Sequence, residues 1–308
     1  MSTESWRNWS SIEKTGAYKF KGTVDEDEDL SGIRFDNSGF GLIGADEAAN
    51  VQHIEIHKDR RELRVVGRVT LANSGDEIDI EAIAADGKYF YITASHGVAK
   101  KSGELQPSRF NLFRLEFDPR TQRPRESGGL ARTTLAPILQ DDSVLAPYYQ
   151  KPLQQKGINI EGLAARDGQL YIGLRNPNLQ GNAFILEVPA DSLFQHTPPK
   201  EYTLHQVPLG PGLGIRDMAP AKDCFLIIAG NAGADPSDKF PRSQDYIEDR
   251  PFELFAWTPQ HTHHIGVIPD TPGKAEALAV LEESPTQLEI LVLFDGPEKG
   301  RPMTYEVR

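Results

Sequence analysis

The sequence predicts an all-β fold, a five-bladed β-propeller of four-stranded blades, and three observations carry the prediction. A motif that sets a polar residue inside an apolar strand occurs five times in 308 residues. Each copy opens the same succession of short apolar runs separated by turn residues, with almost no sustained 3.6-residue pattern. The motif position falls at Ser31, Glu81, Glu161, Arg216 and Glu276, intervals of 50, 80, 55 and 60 residues. Such intervals suit propeller blades and are too long for a small solenoid repeat.

In chain order, residues 1–16 read as an N-terminal arm whose Trp6 and Trp9 pack against the ring, and residues 17–308 as a single propeller domain. The innermost strands are "LSGIRF", "IEAIAAD", "IEGLAAR", "IRDMAPA" and "AEALAVL". A polar turn such as Asp86-Gly87 or Asp167-Gly168 leads each into a second apolar run. The third strands are "VQHIEIH", "FNLFRLEFD", "AFILEVP", "FELFAWT" and "MTYEVR", and the fourth are "LRVVGRVTL", "ARTTLAPIL", "YTLHQVPL" and "HHIGVIP". The fifth unit has no fourth strand of its own. The alternating piece "AYKFKG", residues 17–22, is free to pair with "MTYEVR" and close the ring, which removes both open sheet edges. A six-bladed ring is the alternative, its extra blade hidden in the 80-residue interval. Residues 140–157 there read as a Pro- and Gln-rich loop, which favours five.

Composition narrows the partners. The formal net charge of -12 argues against nucleic acid and against an anionic membrane surface. A cation, or a small anionic ligand held by a local basic patch, suits it better. No apolar stretch approaches the length of a membrane span, and the N-terminus lacks the basic and apolar regions of a signal peptide. The lone Cys224 lies in the apolar run "KDCFLIIAG", where a buried inert thiol in a reducing compartment is expected. A cytoplasmic location follows as the expectation.

The first strand of a propeller blade lines the central channel, and side chains two apart share a face. The pairs Asp29/Ser31, Asp79/Glu81, Asn159/Glu161, Gly214/Arg216 and Lys274/Glu276 are therefore expected to face the axis. Three glutamates on a narrow axis require a positive charge among them. That charge is either a hard cation, Ca²⁺ above all, or the guanidinium of Arg216. A second ring of polar residues ends the second strands: Asp46, His96, Asn176, Asn231 and Asp295. Arg109, Arg250 and Arg301, each just before a third strand, join Arg175, Lys100 and Lys101 as an expected cationic rim. His96 is the one histidine of either ring and the candidate proton carrier. His261, His263 and His264 fall on an outer strand and are expected in solvent.

The stretches "DIEAIAADG", "NIEGLAARDG", "GLGIRDMA" and "KAEALAV" resemble the repeats of an uncharacterised bacterial propeller family of unknown function, over nearly the whole chain. More distantly the pattern is similar to phytase-like propellers and calcium-activated nucleotidases (apyrases). The second resemblance implies a central Ca²⁺ held by Ser31, Glu81, Glu161 and Glu276. Arg216 departs from it, standing where a serine is expected. Two functions are carried forward. One is a ligand site at one mouth, with metal-assisted hydrolysis of phosphate or other esters: the glutamates hold a cation, Arg175 and Arg109 orient an anion and His96 moves a proton. The other is a non-catalytic scaffold for a protein partner, with Arg216 closing a salt-bridged channel.

Overall fold

Alternating apolar and polar residues turn each run into a strand, and short turns pair it antiparallel with the next. Asp167 and Gly168 both take the left-handed conformation that a tight two-residue hairpin requires. In the computed structural model, residues 5–72, 77–118, 120–121, 123–125, 128–195, 199 and 201–308 are described. Blade one comprises Leu30–Phe35, Phe40–Ala45, Asn50–His57 and Glu62–Thr70. Blade two comprises Ile80–Asp86, Tyr89–Ala94, Leu112–Asp118 and Leu130–Thr133. Blade three has Asn159–Arg166, Gln169–Leu179, Asn182–Pro189 and Thr203–Pro208, and blade four Leu213–Pro220, Phe225–Asn231, Glu253–Thr258 and His261–Val267. Blade five joins Lys274–Ser284, Gln287–Asp295 and Met303–Val307 to an outermost strand, Ile12–Ala17, from the other end of the chain. The innermost strands touch in succession, and that of blade five meets that of blade one. The ring is closed with five blades.

Three local expectations need correction. The closing strand is Ile12–Ala17, paired from Ile12 opposite Val307 to Ala17 opposite Met303 with a shift of register between Lys14 and Gly16. It takes in residues assigned above to the arm. Lys19–Lys21, the core of the piece expected to close the ring, instead runs parallel to Glu62–Arg64 on the outside of blade one. In blade two the fourth strand stops at Thr133, and Ala136–Asp141 is a helix with proline in its first turn. Residues 140–157 continue as short helical turns, without a sixth blade.

Burial places an apolar core in each gap between neighbouring blades. Leu42 and Val51 of blade one meet Ile80 and Ile92 of blade two, and equivalent clusters fill the other four gaps. Trp6 and Trp9, each 3% exposed, sit in the gap between blades four and five, so the arm packs on the ring as expected. Cys224 is buried in the same cluster, where desolvation pushes its thiol up to about 12. Among the described residues no helix is long and apolar enough to cross a membrane.

Candidate functional site

The glutamate inside an apolar strand has a geometric explanation. In all five blades the innermost strand loses register with its neighbour at the motif position. Ile80 opposes Ala94 and Ala82 opposes Thr93, leaving Glu81 as the extra residue. Ser31, Glu161, Arg216 and Glu276 are skipped in the same way. Such a bulge bends the strand and re-aims one side chain out of the ladder. The flanking apolar residues stay in the interblade cores while the bulged polar residue is released toward the axis.

These residues meet there, and a guanidinium lies among them. Arg216 pairs with Glu276, and its Nε lies 2.9 Å from Glu161 Oε2. Arg175 Nη1 donates to Glu161 Oε1 at 2.8 Å, while its other nitrogens donate to the carbonyls of Asn231, Ala232 and Gly233 in blade four. That clamp needs close approach of two backbones: a Cβ at Gly214 would stand 1.9 Å from the Arg175 carbonyl oxygen. Glu161 is 2% exposed. Burial alone would raise its pKa, but Arg175 and Arg216 outweigh burial and hold it below the ordinary glutamate value. Burial and the charge of Arg175 lower Arg216 to about 10, so it stays protonated near neutrality.

Glu81 stands apart. It is 7% exposed, its hydrogen bond comes from Asn159 Nδ2 at 3.5 Å, and among the described residues no lysine or arginine nitrogen lies within 4.0 Å of it. Burial, then Glu161 and Asp79, push its carboxyl well above the usual range. The fourth oxygen of the expected metal set, Ser31 Oγ, is turned to the carbonyl of Ile80. Calcium needs six to eight oxygens. Here two of the three carboxylates already face Arg216 and the hydroxyl faces a carbonyl, so the donor set does not fit that ion.

A second layer, which the sequence reading missed, closes the channel below. Elsewhere the inner strands carry Gly or Ala at this depth, as at Ala82, Ala84, Gly162 and Ala277, but here Arg34 and Asp217 intrude. Arg34 donates from Nε to Ile83 O of blade two at 3.1 Å, and from Nη2 to Met218 O of blade four. Asp217 accepts the N–H groups of Met218 and Leu278, each at 2.7 Å. Burial raises Asp217 to about 8, against the lowering pull of Arg34. Arg34 thus ties blade one to blade four across the axis, Asp217 ties blade four to its neighbour blade five, and together they floor the mouth. The signal was the departure from small residues at two inner positions.

The second polar ring divides in role. His96 is fully buried; its Nδ1 donates to the Ala94 carbonyl at 3.0 Å and its Nε2 accepts the Leu135 N–H at 3.1 Å. Burial lowers it to about 4. Both ring nitrogens are committed to backbone, which corrects its proposed proton-carrying role. Asn176 is buried and donates to Leu153 O at 3.0 Å, a structural contact. Asn231 brackets Ile247 with two hydrogen bonds and lines the mouth. Asp295 pairs with Lys274. Asp46 is half-buried with no hydrogen bond to Oδ1, and burial together with Asp79 and Asp29 pushes it up to about 7.

The cationic rim is also part corrected. Arg109 is spent on Glu77 and, at 3.2 Å, on Asp79, so it does not present itself to a ligand. Arg301 is exposed and does not line the mouth. Lys100, Lys101, Arg175, Arg216, Arg250 and Lys274 do converge, around a cavity of about 440 Å³ that also meets Tyr246 and Phe252. Among the described residues, Lys100 and Lys101 have no carboxylate within 4.0 Å. The outer histidines of blade four make local contacts, His263 with Trp9 O at 2.6 Å and His264 with Glu253 at 2.9 Å. The mouth is therefore uneven: blades one and two bring the carboxyls Asp29, Asp46 and Glu81 together with Lys100 and Lys101, blades three and four bring the arginines, and blade five brings Lys274.

Fold and site together define a closed five-bladed propeller with a floored, charged mouth. The chain belongs to the family described as Protein of unknown function (DUF3616), whose model matches residues 29–126 and 117–307. No curated protein matches it. Among solved structures it is similar to the glutaminyl cyclase of Myxococcus xanthus, at 14% identity and TM-score 0.48 over 96% of this chain and 95% of that one. It is also similar to virginiamycin B lyase from Staphylococcus aureus, at 11% identity and TM-score 0.43 over 97% and 100%.

Proposed function

We propose that the mouth is the binding site of a small anionic molecule, a phosphate or carboxylate ester or the acid itself. The supporting observation is that six cationic side chains, against two carboxylates, Asp235 and Asp249, line one cavity in a chain of net charge -12. Arg175 and Arg216 are fixed by their ion pairs and supply a preorganised positive wall, whereas Lys100 and Lys101 would contact the ligand directly, with Arg250, bonded to Pro211 O, beside them. The volume suits a compact metabolite rather than a polymer. Ester hydrolysis is the reaction such a site would host, with a carboxyl of the acidic half moving the proton in place of His96. A metal-assisted route has no donor set to rest on in the channel.

The test is titration of inorganic phosphate into wild type and into the Lys100→Ala, Lys101→Ala double variant. Each charged contact contributes about 1.5–3 kcal/mol, so the variant is expected to bind about tenfold more weakly or worse. Equal binding by the two proteins would reject the site. A panel of phosphate and carboxyl esters then decides between binding and turnover. The scaffold reading draws on a different feature, a groove of about 550 Å³ between blades one and two beside the exposed Val66 and Leu130. That groove lies away from the charged mouth.

A further inference from the structure

We infer that the ligand of the mouth is a zwitterion, its anionic group on the basic wall and an ammonium group held by Glu81 with Asp46. This rests on the anion reading above and narrows it. The basis is the uneven distribution of charge about the axis. Glu161 has two arginines and Glu276 has one. Glu81 is more than nine-tenths buried, projects from a bulge toward the axis and has no cation within 4.0 Å among the described residues. Asp46 is likewise without a cation, with Oδ1 free of any hydrogen bond.

The groups that bear on Glu81 come from several elements: Asp79 just before its own strand, Glu161 on blade three, Arg216 on blade four, Asp46 from blade one and Lys100 from the following loop. Three are carboxyls, and Asp79 is already answered by Arg109. Lys100 is exposed and lines the basic cavity as well, so it stands between the two halves. Burial, and then the neighbouring carboxyls, raise both Glu81 and Asp46, so a positive charge brought beside them is favoured. A plain anion would leave that half unanswered, and a plain amine would meet the arginine wall. A ligand with both charges satisfies both halves and is selected against either alone.

The experiment compares ethylphosphonate with 2-aminoethylphosphonate, which differ by the ammonium group, by calorimetric titration near pH 7. Wild type is expected to bind the aminated probe at least about tenfold tighter, a difference of about 1.4 kcal/mol. Glu81→Gln should abolish that advantage while ethylphosphonate binds as before; Asp46→Asn, which keeps the channel charges intact, should reduce it. Equal affinity of the two probes for wild type overturns the inference and leaves the anion site standing. So does an advantage that survives Glu81→Gln, or one that millimolar Ca²⁺ removes, because the acidic half is then an ion site. If neither phosphonate binds wild type, the anion reading fails first and the zwitterion falls with it.

Discussion

Replacing Arg216 by methionine removes the one guanidinium that bridges two channel glutamates, and the structure gives the size of the effect. Glu161 keeps Arg175 at 2.8 Å, whereas Glu276 loses the partner that its ion pair supplies. Breaking a buried pair costs about 3–5 kcal/mol, and the retained Arg175 contact puts this case at the low end, about 3 kcal/mol. For a chain of this size the melting temperature should fall by about 4–6 °C. Calorimetry and urea unfolding read the change. Glu276→Gln added to Arg216→Met should recover most of it, since the orphaned charge is then gone. Calcium supplies a second arm. Wild type should melt at the same temperature in millimolar Ca²⁺ or chelator, while Arg216→Met, left with three carboxyls round the axis, should gain stability with Ca²⁺. A methionine variant as stable as wild type, or a wild type that Ca²⁺ stabilises, would refute the reasoning.

Other consequences are open to measurement. Asp46 holds its proton to about pH 7 in the folded chain, so its stabilising contribution is complete below the unfolded carboxyl pKa and is lost as pH rises toward 7. Asp46→Asn should match wild type near pH 4 and exceed it at pH 8 by on the order of 1–2 kcal/mol, allowing for partial exposure; an unchanged pH slope would contradict this. Asp217→Asn keeps the shape but turns one accepting oxygen into a donor and forfeits an accepted N–H bond, for an expected loss of about 1–3 kcal/mol in urea unfolding. His96→Ala should destabilise by a similar amount at pH 8, about 1–3 kcal/mol, and by less at pH 5.5, because the imidazole stays neutral in the folded chain but takes up a proton on unfolding there. A cost that is the same at both pH values, or larger at pH 5.5, would contradict a neutral, buried His96.

Much of the fold was legible because position two of the motif recurs in every blade while its flanks stay apolar. The closing strand was not, because Ile12–Ala17 is an outermost strand with a mostly exposed pattern. It carries little hydrophobic signal, and the neighbouring "AYKFKG" alternates more clearly. Pro137 is the reason the fourth strand of blade two ends early, since it starts a helix instead of joining a ladder. Within the site, strict alternation placed the right residues on the axis for an incomplete reason. The five bulges, invisible to a period-two reading, are what aim Glu81, Glu161 and Arg216. Arg109 and His96 showed their limits in the same way: residue type suggested chemistry, and partners distant in sequence, Glu77 and Leu135, had already engaged them.

The most direct test of an uneven, charged mouth is anomalous diffraction from crystals soaked in selenate. The expected map shows a selenium peak inside the mouth cavity, within hydrogen-bonding reach of Lys100, Lys101 or Arg250, above an Arg216 that bridges Glu161 and Glu276. Selenate bound only elsewhere, or an axis on which Arg216 and those glutamates lie apart, would contradict it.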